Sequence, residues 1–172
     1  MRGNDFDTII APMRQRMVNA IWRVVRDPDA TEDVLQEVLV RVVEHFGRVQ
    51  RHPNPPALLL RMCVNAGIDH VRRVRGKRRT VSHNSLNEVT DRRGDALDAS
   101  VQEETRTRIV AALAGLPRRE GEVMTLFALE DLSTSEIAHA MNCRESTVRV
   151  WIARARARLK SQLNGLGLGL EA

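Results

Sequence analysis

Ser133-Thr134-Ser135-Glu136-Ile137-Ala138-His139-Ala140-Met141-Asn142-Cys143-Arg144-Glu145-Ser146-Thr147-Val148-Arg149 leads on to Arg154-Ala155-Arg156-Ala157-Arg158-Leu159-Lys160. Ser133 and Glu136 have the spacing of a capping box, in which each side chain satisfies a free amide at a helix start, so a short helix begins there. Ile137, Ala138 and Met141 give it an apolar stripe. Asn142 tolerates the left-handed conformation that ends a helix and turns the chain. Val148, Ile152, Ala155, Leu159 and Leu163 then recur at spacings of a second helix, whose other faces carry Arg149, Arg154, Arg156, Arg158 and Lys160. The pattern is a helix-turn-helix. A cationic amphipathic helix held across a tight turn from a short partner suits the major groove and its flanking phosphates. The basic run alone fits a solvated bundle helix equally well; the cap and the turn decide for duplex DNA.

Composition agrees with a nucleic-acid partner. Lys and Arg exceed Asp and Glu by 27 to 22, a net charge of +5, and the basic residues cluster. With 42% hydrophobic and 28% charged residues the chain reads as a folded soluble protein, and its 172 residues suit two small domains. Aromatics are only 3%, with no Tyr, so the packing must come from aliphatic side chains. No apolar stretch approaches the roughly 20 residues that cross a bilayer, and no membrane insertion is expected. Nor does the acidic start resemble a secretory leader. Cys63 and Cys143 lie far apart, so both read as small core hydrophobes in a reducing cytoplasm.

Helical periodicity organises the rest. Phe6, Ile9, Ile10, Met13, Met17, Ile21 and Val24 predict one helix over about 6–26, ended by Asp27-Pro28-Asp29. Val34, Leu35, Val38, Leu39, Val42, Val43 and Phe46 mark a second, ending at Gly47, before a Pro-rich loop from Arg48 to Pro56. A third runs from near Pro56 to about Arg75. Apolar residues thin out after Thr80 while acidic ones accumulate, as in an extended linker. Ile109, Leu113 and Leu116 form one later helix face, and Val123, Met124, Leu126, Phe127 and Leu129 another. The expected class is all-α: a helical domain over 1–79, a flexible linker over 80–100, a helix-turn-helix domain over 101–163 and a flexible tail over 164–172.

Two polar groupings stand out. Asp33, Gln36 and Glu37 share a face of the second helix, opposite Leu35, Leu39, Val42 and Phe46. That face is either solvated or an acidic docking surface for a basic partner. On the third helix Asn65 and Asp69 continue the stripe of Leu58 and Met62. Either they are satisfied internally, Asp69 by Arg72 or Arg73, or Asn65 faces a ligand such as a base edge. The five histidines show no metal-ligand spacing, and neither a phosphate loop nor a nucleophile elbow appears. No catalytic residue, metal or cofactor is expected, and the chain is not read as an enzyme.

Several segments, in order, resemble bacterial RNA polymerase sigma factors of the extracytoplasmic-function group. They are Asp29-Ala30-Thr31-Glu32-Asp33-Val34-Leu35-Gln36-Glu37-Val38-Leu39, then Leu59 to Asn65 with Ile68-Asp69-His70-Val71-Arg72-Arg73, then Leu113-Ala114-Gly115-Leu116-Pro117-Arg118-Arg119-Glu120, and the helix-turn-helix. The resemblance covers nearly the whole chain. It implies that core RNA polymerase and promoter DNA are the partners, with an anti-sigma factor as a further one, and that catalysis belongs to the polymerase. It places polymerase binding on Asp33, Gln36 and Glu37. Asn65, Arg72, Arg73, Arg75 and Lys77 would serve the single-stranded minus-ten element, with the loop from Gly47 to Pro56 near the unstacked base. Glu145, Ser146, Thr147, Arg149, Val150, Trp151, Arg154 and Arg156 would serve the minus-thirty-five duplex.

The chain departs from the family pattern in places. Leu58-Leu59-Leu60 stands where the family commonly has Trp-Leu-Tyr, and the preceding loop carries Pro53, Pro55 and Pro56. Arg144 replaces a frequent helix-starting Ser and is a poor cap, while Val150-Trp151 replaces a frequent Ser-Arg pair. Two other readings are a stand-alone helix-turn-helix regulator and a non-activating protein that occupies polymerase or an anti-sigma factor.

Overall fold

The structure, a computed structural model, describes residues 3–81 and 97–164, with the side chains of 6–77 and 105–162. Every regular element among the described residues is helical. The helices are α1 (Gly3–Ile10), α2 (Arg14–Val25), α3 (Pro28–Glu44), α4 (Phe46–Gln50), α5 (Pro55–Val81), α6 (Leu97–Gly115), α7 (Arg118–Ala128), α8 (Thr134–Met141) and α9 (Glu145–Asn164). Most of the expected linker and tail lies outside the described residues.

The single first helix expected over 6–26 is two. Ala11–Met13 forms a 3-10 turn between α1 and α2, because Pro12 has no amide to donate and its ring collides with the preceding turn. Arg26 then adopts a left-handed conformation that closes α2, and Asp27 caps α3 by accepting from the Ala30 amide at 2.8 Å. The second expected helix stops at His45 rather than Gly47. Gly47 lies inside α4, so part of the expected Arg48–Pro56 loop is helical. Asn54 accepts from the Ala57 amide at 3.1 Å and starts α5, which runs on to Val81, past the expected end near Arg75.

Met17, Ile21, Leu35, Val38, Leu59, Leu60 and Val64 are buried where α2, α3 and α5 cross. Gly67 permits that crossing: a Cβ there would lie 3.2 Å from Val24 Cβ. The apolar cluster does not stop at the linker. Val123, Leu126, Leu132, Ile137 and Val148 belong to the same buried cluster as the N-terminal core, so the two halves pack against each other. Each half carries one tryptophan: Trp22 on α2 is 38% exposed, and Trp151 on α9 packs partly buried against the core.

Within the C-terminal half, Gly121 marks a close backbone approach. A Cβ on Gly121 would lie 2.8 Å from the Leu113 carbonyl oxygen, a contact that only a backbone shift can relieve. Gly121→Ala is therefore expected to destabilise the chain by about 1–3 kcal/mol, the usual penalty for overpacking. Urea unfolding of the two proteins measures it; an unchanged midpoint would show that α7 slides at no cost.

Candidate nucleic-acid interface

The helix-turn-helix is built as its residues dictate. Ser133 Oγ accepts from the Glu136 amide at 3.2 Å, and Glu136 Oε2 accepts from the Ser133 amide at 2.9 Å and from its hydroxyl at 2.7 Å. Those bonds hold the Glu136 carboxyl below its ordinary range. Asn142 closes α8 with φ of 52°, in the left-handed region. A second tie spans the turn: Glu145 Oε1 accepts from Thr134 Oγ1 at 2.6 Å and from the Arg149 guanidinium at 2.6 Å. Glu145 too is held below the carboxylate range, first by the Thr134 bond and then by Arg149. The carboxylate thus orients Arg149 one turn into α9.

Val148, Ile152 and Ala155 are buried, while Arg149, Arg154, Arg156, Arg158 and Lys160 are all exposed, as the periodicity predicts. Their roles differ locally. The Arg156 guanidinium lies 5.4 Å from the centre of the Phe127 ring, and Arg158 Nε lies 2.9 Å from the buried Glu120 carboxylate. Val150 is 46% exposed beside Arg149, whereas Trp151 turns towards the core. Cys143 is only partly buried, unlike the fully buried Cys63. Desolvation raises both thiols above their ordinary range.

On α3 the three expected docking residues are not equivalent. Asp33 and Gln36 are exposed. Glu37 accepts from Arg41 at 2.5 Å and lies 3.5 Å from Arg73, so its charge is already paired. Val40, 57% exposed, and Val43 extend the outward stripe of Asp33 and Gln36 by a further turn.

On α5 the expected minus-ten side chains point largely at the C-terminal half. Asn65 Nδ2 donates to Glu122 Oε1 at 2.8 Å, and Arg61 Nε donates to the same oxygen at 2.5 Å. Arg72 donates to the carbonyls of Ala114 and Leu116 at 2.9 and 2.8 Å, and Arg75 to that of Ala111 at 2.6 Å. Asp69 pairs with Arg72 at 3.7 Å and with Arg118 at 3.3 Å. Among the described residues, Arg73 and Lys77 are the members of the expected set that form no hydrogen bond or ion pair with α6 or α7, and both are exposed. Sequence reasoning missed Arg61, Glu122 and Arg119. The available signal was two glutamates, Glu120 and Glu122, beside the apolar stripe of α7.

A second bridge joins α2 to the α7–α8 turn. Arg23 donates to the Leu129 carbonyl and, at 3.2 Å, to Glu130. Burial raises the Glu130 carboxyl above its ordinary 4.5, against the pull of Arg23 and Arg16 and with the help of Asp131. A carboxyl raised on folding binds more protons folded than unfolded, so its contribution is complete at low pH and is lost as pH rises through the shifted value. Glu130→Gln is therefore expected to remove a component of stability that declines as pH rises above about 4.5. Urea midpoints of both proteins across that range test it; parallel profiles would show that Glu130 gains nothing from its proton.

Among the described residues there is no cluster of His, Cys, Asp and Glu able to hold a metal ion, and no helix long and apolar enough to cross a membrane.

Comparison with known proteins agrees with this layout. Residues 9–77 match the model for sigma-70 region 2, and residues 106–159 match that for sigma-70 region 4. The ECF RNA polymerase sigma factor SigM of Bacillus subtilis is 28% identical over 155 residues, 87% of this chain and 92% of that protein. ECF RNA polymerase sigma factor SigC of Mycobacterium tuberculosis is 26% identical over 79% of this chain and 73% of its own. Two solved structures share the fold at 19% identity. One is the sigma factor RpoE with the anti-sigma factor NepR from Bartonella quintana, with a TM-score of 0.53 over 93% of this chain and 97% of that one. The other is CnrH with the cytosolic domain of CnrY, with a TM-score of 0.55 over 94% of this chain and 89% of that one. A helical region 2 and a helix-turn-helix region 4 on one short chain define a two-region sigma factor. The chain belongs to the extracytoplasmic-function group of the sigma-70 family.

Proposed function

We propose that the chain binds core RNA polymerase through the outward face of α3, centred on Asp33 and Gln36 with Glu37 at its edge, and lends the polymerase promoter specificity. The N-terminal unit, 1–79, reads the melted minus-ten strand through Asn65, with the Gly47–Pro56 segment beside the unstacked base and Arg72, Arg73, Arg75 and Lys77 along the phosphates. Base capture of this kind lets a protein read edges that pairing hides. The unit over 101–163 reads the minus-thirty-five duplex through α9. The chemistry of RNA synthesis stays with the polymerase, so the chain needs no cofactor and acts in the cytoplasm. An anti-sigma protein is a third partner class, since the RpoE structure that shares this fold holds the anti-sigma factor NepR.

The observation that carries this reading is the pairing of a region 2 unit with a helix-turn-helix on one chain. A stand-alone regulator would leave α2, α3 and α5 without a task. Run-off transcription on genomic DNA with purified core polymerase tests it: promoter-specific transcripts that need the chain are expected. Binding to duplex DNA without core, and no transcripts, would favour the stand-alone regulator; capture of core without transcripts would favour the non-activating protein.

Within α9, phosphate contacts position a protein while base-edge contacts discriminate, by about 1–3 kcal/mol for each good bidentate pair. Arg154→Ala and Arg156→Ala are expected to weaken binding to all sequences and flatten its salt dependence. Arg149→Ala is expected to relax discrimination at particular bases. Binding each variant to a library of minus-thirty-five sequences at two salt concentrations separates the two roles. Uniform loss for Arg149→Ala would overturn its assignment as a reader.

A further inference from the structure

α9 buries Val148, Ile152 and Ala155, and at the helical repeat the opposite side falls to Ser146, Val150, Ala153 and Ala157, all of them exposed. The cations stand to either side of that line. Arg149 and Arg156 flank it on one edge, Arg154 and Arg158 on the other. Three of these have partners within the protein: Arg149 pairs with Glu145, Arg156 lies over Phe127 and Arg158 pairs with Glu120. Val150, 46% exposed, is the large apolar side chain that α9 leaves in water, whereas Trp151 packs against the core. A lone exposed valine is ordinary on a protein surface. At the crest of a helix that enters the major groove, however, it is among the side chains nearest the base edges.

What a valine can read there is narrow. It has no donor or acceptor for the N7 and O6 of guanine, the N6 amino group of adenine or the N4 amino group of cytosine. Set against those groups it strips away water without replacing the bond, which costs free energy. The apolar group that the groove does offer is the C5-methyl of thymine. We infer that Val150 is a specificity-determining residue that selects a thymine in the minus-thirty-five duplex by packing against its methyl group, while Arg154 and Arg156, on opposite edges of the helix, hold the phosphates. The inference rests on α9 being the reading helix, as proposed above.

The test uses the full chain with purified core RNA polymerase. Duplexes carrying a randomised segment are enriched for those that the wild-type complex retains, and each thymine of the enriched sequence is then replaced in turn by uracil. Uracil pairs as thymine does and lacks only the methyl group. Competition binding compares the wild-type chain, Val150→Ala and, as a neighbouring control, Arg149→Ala. Val150 is exposed and alanine is the better helix former, so Val150→Ala keeps its fold, which circular dichroism checks. One uracil is expected to weaken wild-type binding about fourfold, the worth of one carbon group withdrawn from water. Val150→Ala is expected to bind the thymine and uracil duplexes equally, and Arg149→Ala to keep the uracil penalty. An enriched sequence with no uracil-sensitive position, or with a penalty as large in Val150→Ala as in wild type, would overturn the assignment to Val150 and leave α9 as the reader. Loss of the penalty in Arg149→Ala as well would overturn it too. Failure to enrich any duplex sequence would overturn the reading of α9 itself, and the role of Val150 with it.

Discussion

Asp33→Lys is expected to abolish capture of core RNA polymerase at concentrations where the wild-type chain binds fully. The side chain is exposed and forms no hydrogen bond or ion pair among the described residues, so its reversal disturbs little of the fold. Placing a like charge against the basic partner proposed for this face costs several kcal/mol, which is at least about a hundredfold in affinity. Glu37→Lys is the informative companion. It breaks the pairs with Arg41 and Arg73 and so mixes lost docking with local repulsion. Exposed pairs of that kind contribute ~0–1 kcal/mol each, so the fold should tolerate the change. Pull-down with purified core and a circular dichroism check decide the matter. A folded Asp33→Lys chain that binds as well as wild type would move the docking surface elsewhere, with the exposed Val40 and Val43 as the next part of α3 to alter.

Asn65→Ala is expected to slow promoter opening by about ten- to a hundredfold, from the ~1–3 kcal/mol carried by a base-edge contact, while closed-complex formation changes little. The base concerned is exposed only after unpairing, so the defect should shrink on a pre-melted bubble. In the free chain the same substitution removes one donor from Glu122, leaving Arg61 and Arg119. The two consequences are distinct: the lost donor acts on the packing of α5 against α7, and the missing reader proposed above acts on opening. Permanganate footprinting on linear and bubble templates separates them, and normal opening on the linear template would mean that Asn65 serves only the interface with α7.

What could be read in the sequence was local. The Ser133–Glu136 box and the Asn142 turn are fixed by neighbours three or four residues away, and the structure builds both as their spacing dictates. Helix faces were legible for the same reason: Leu35, Val38 and Val42 bury, and Asp33 and Gln36 do not. Periodicity misled at Pro12, where apolar spacing continues across a residue that cannot continue the ladder. It misled again at Gly47, where a glycine suggested a stop that the chain makes two residues earlier. Asn65 was poised between an internal partner and a ligand, and the internal partner proved to be Glu122, 57 residues further on. Nothing local marks that pairing, because α5 and α7 meet only once the linker has brought the halves together. The same distance hid the Arg23–Glu130 bridge.

The tryptophans give the molecule a built-in pair of lamps. With no tyrosine in the chain, ultraviolet emission comes almost wholly from Trp22 and Trp151, one in each half and differently placed relative to water. A Trp22→Phe chain reports the helix-turn-helix side alone, and a Trp151→Phe chain the N-terminal side alone. Their melting curves, overlaid, reveal whether the two regions come apart as one cooperative body or in sequence, and a quencher added before and after core polymerase shows which side changes its surroundings on assembly.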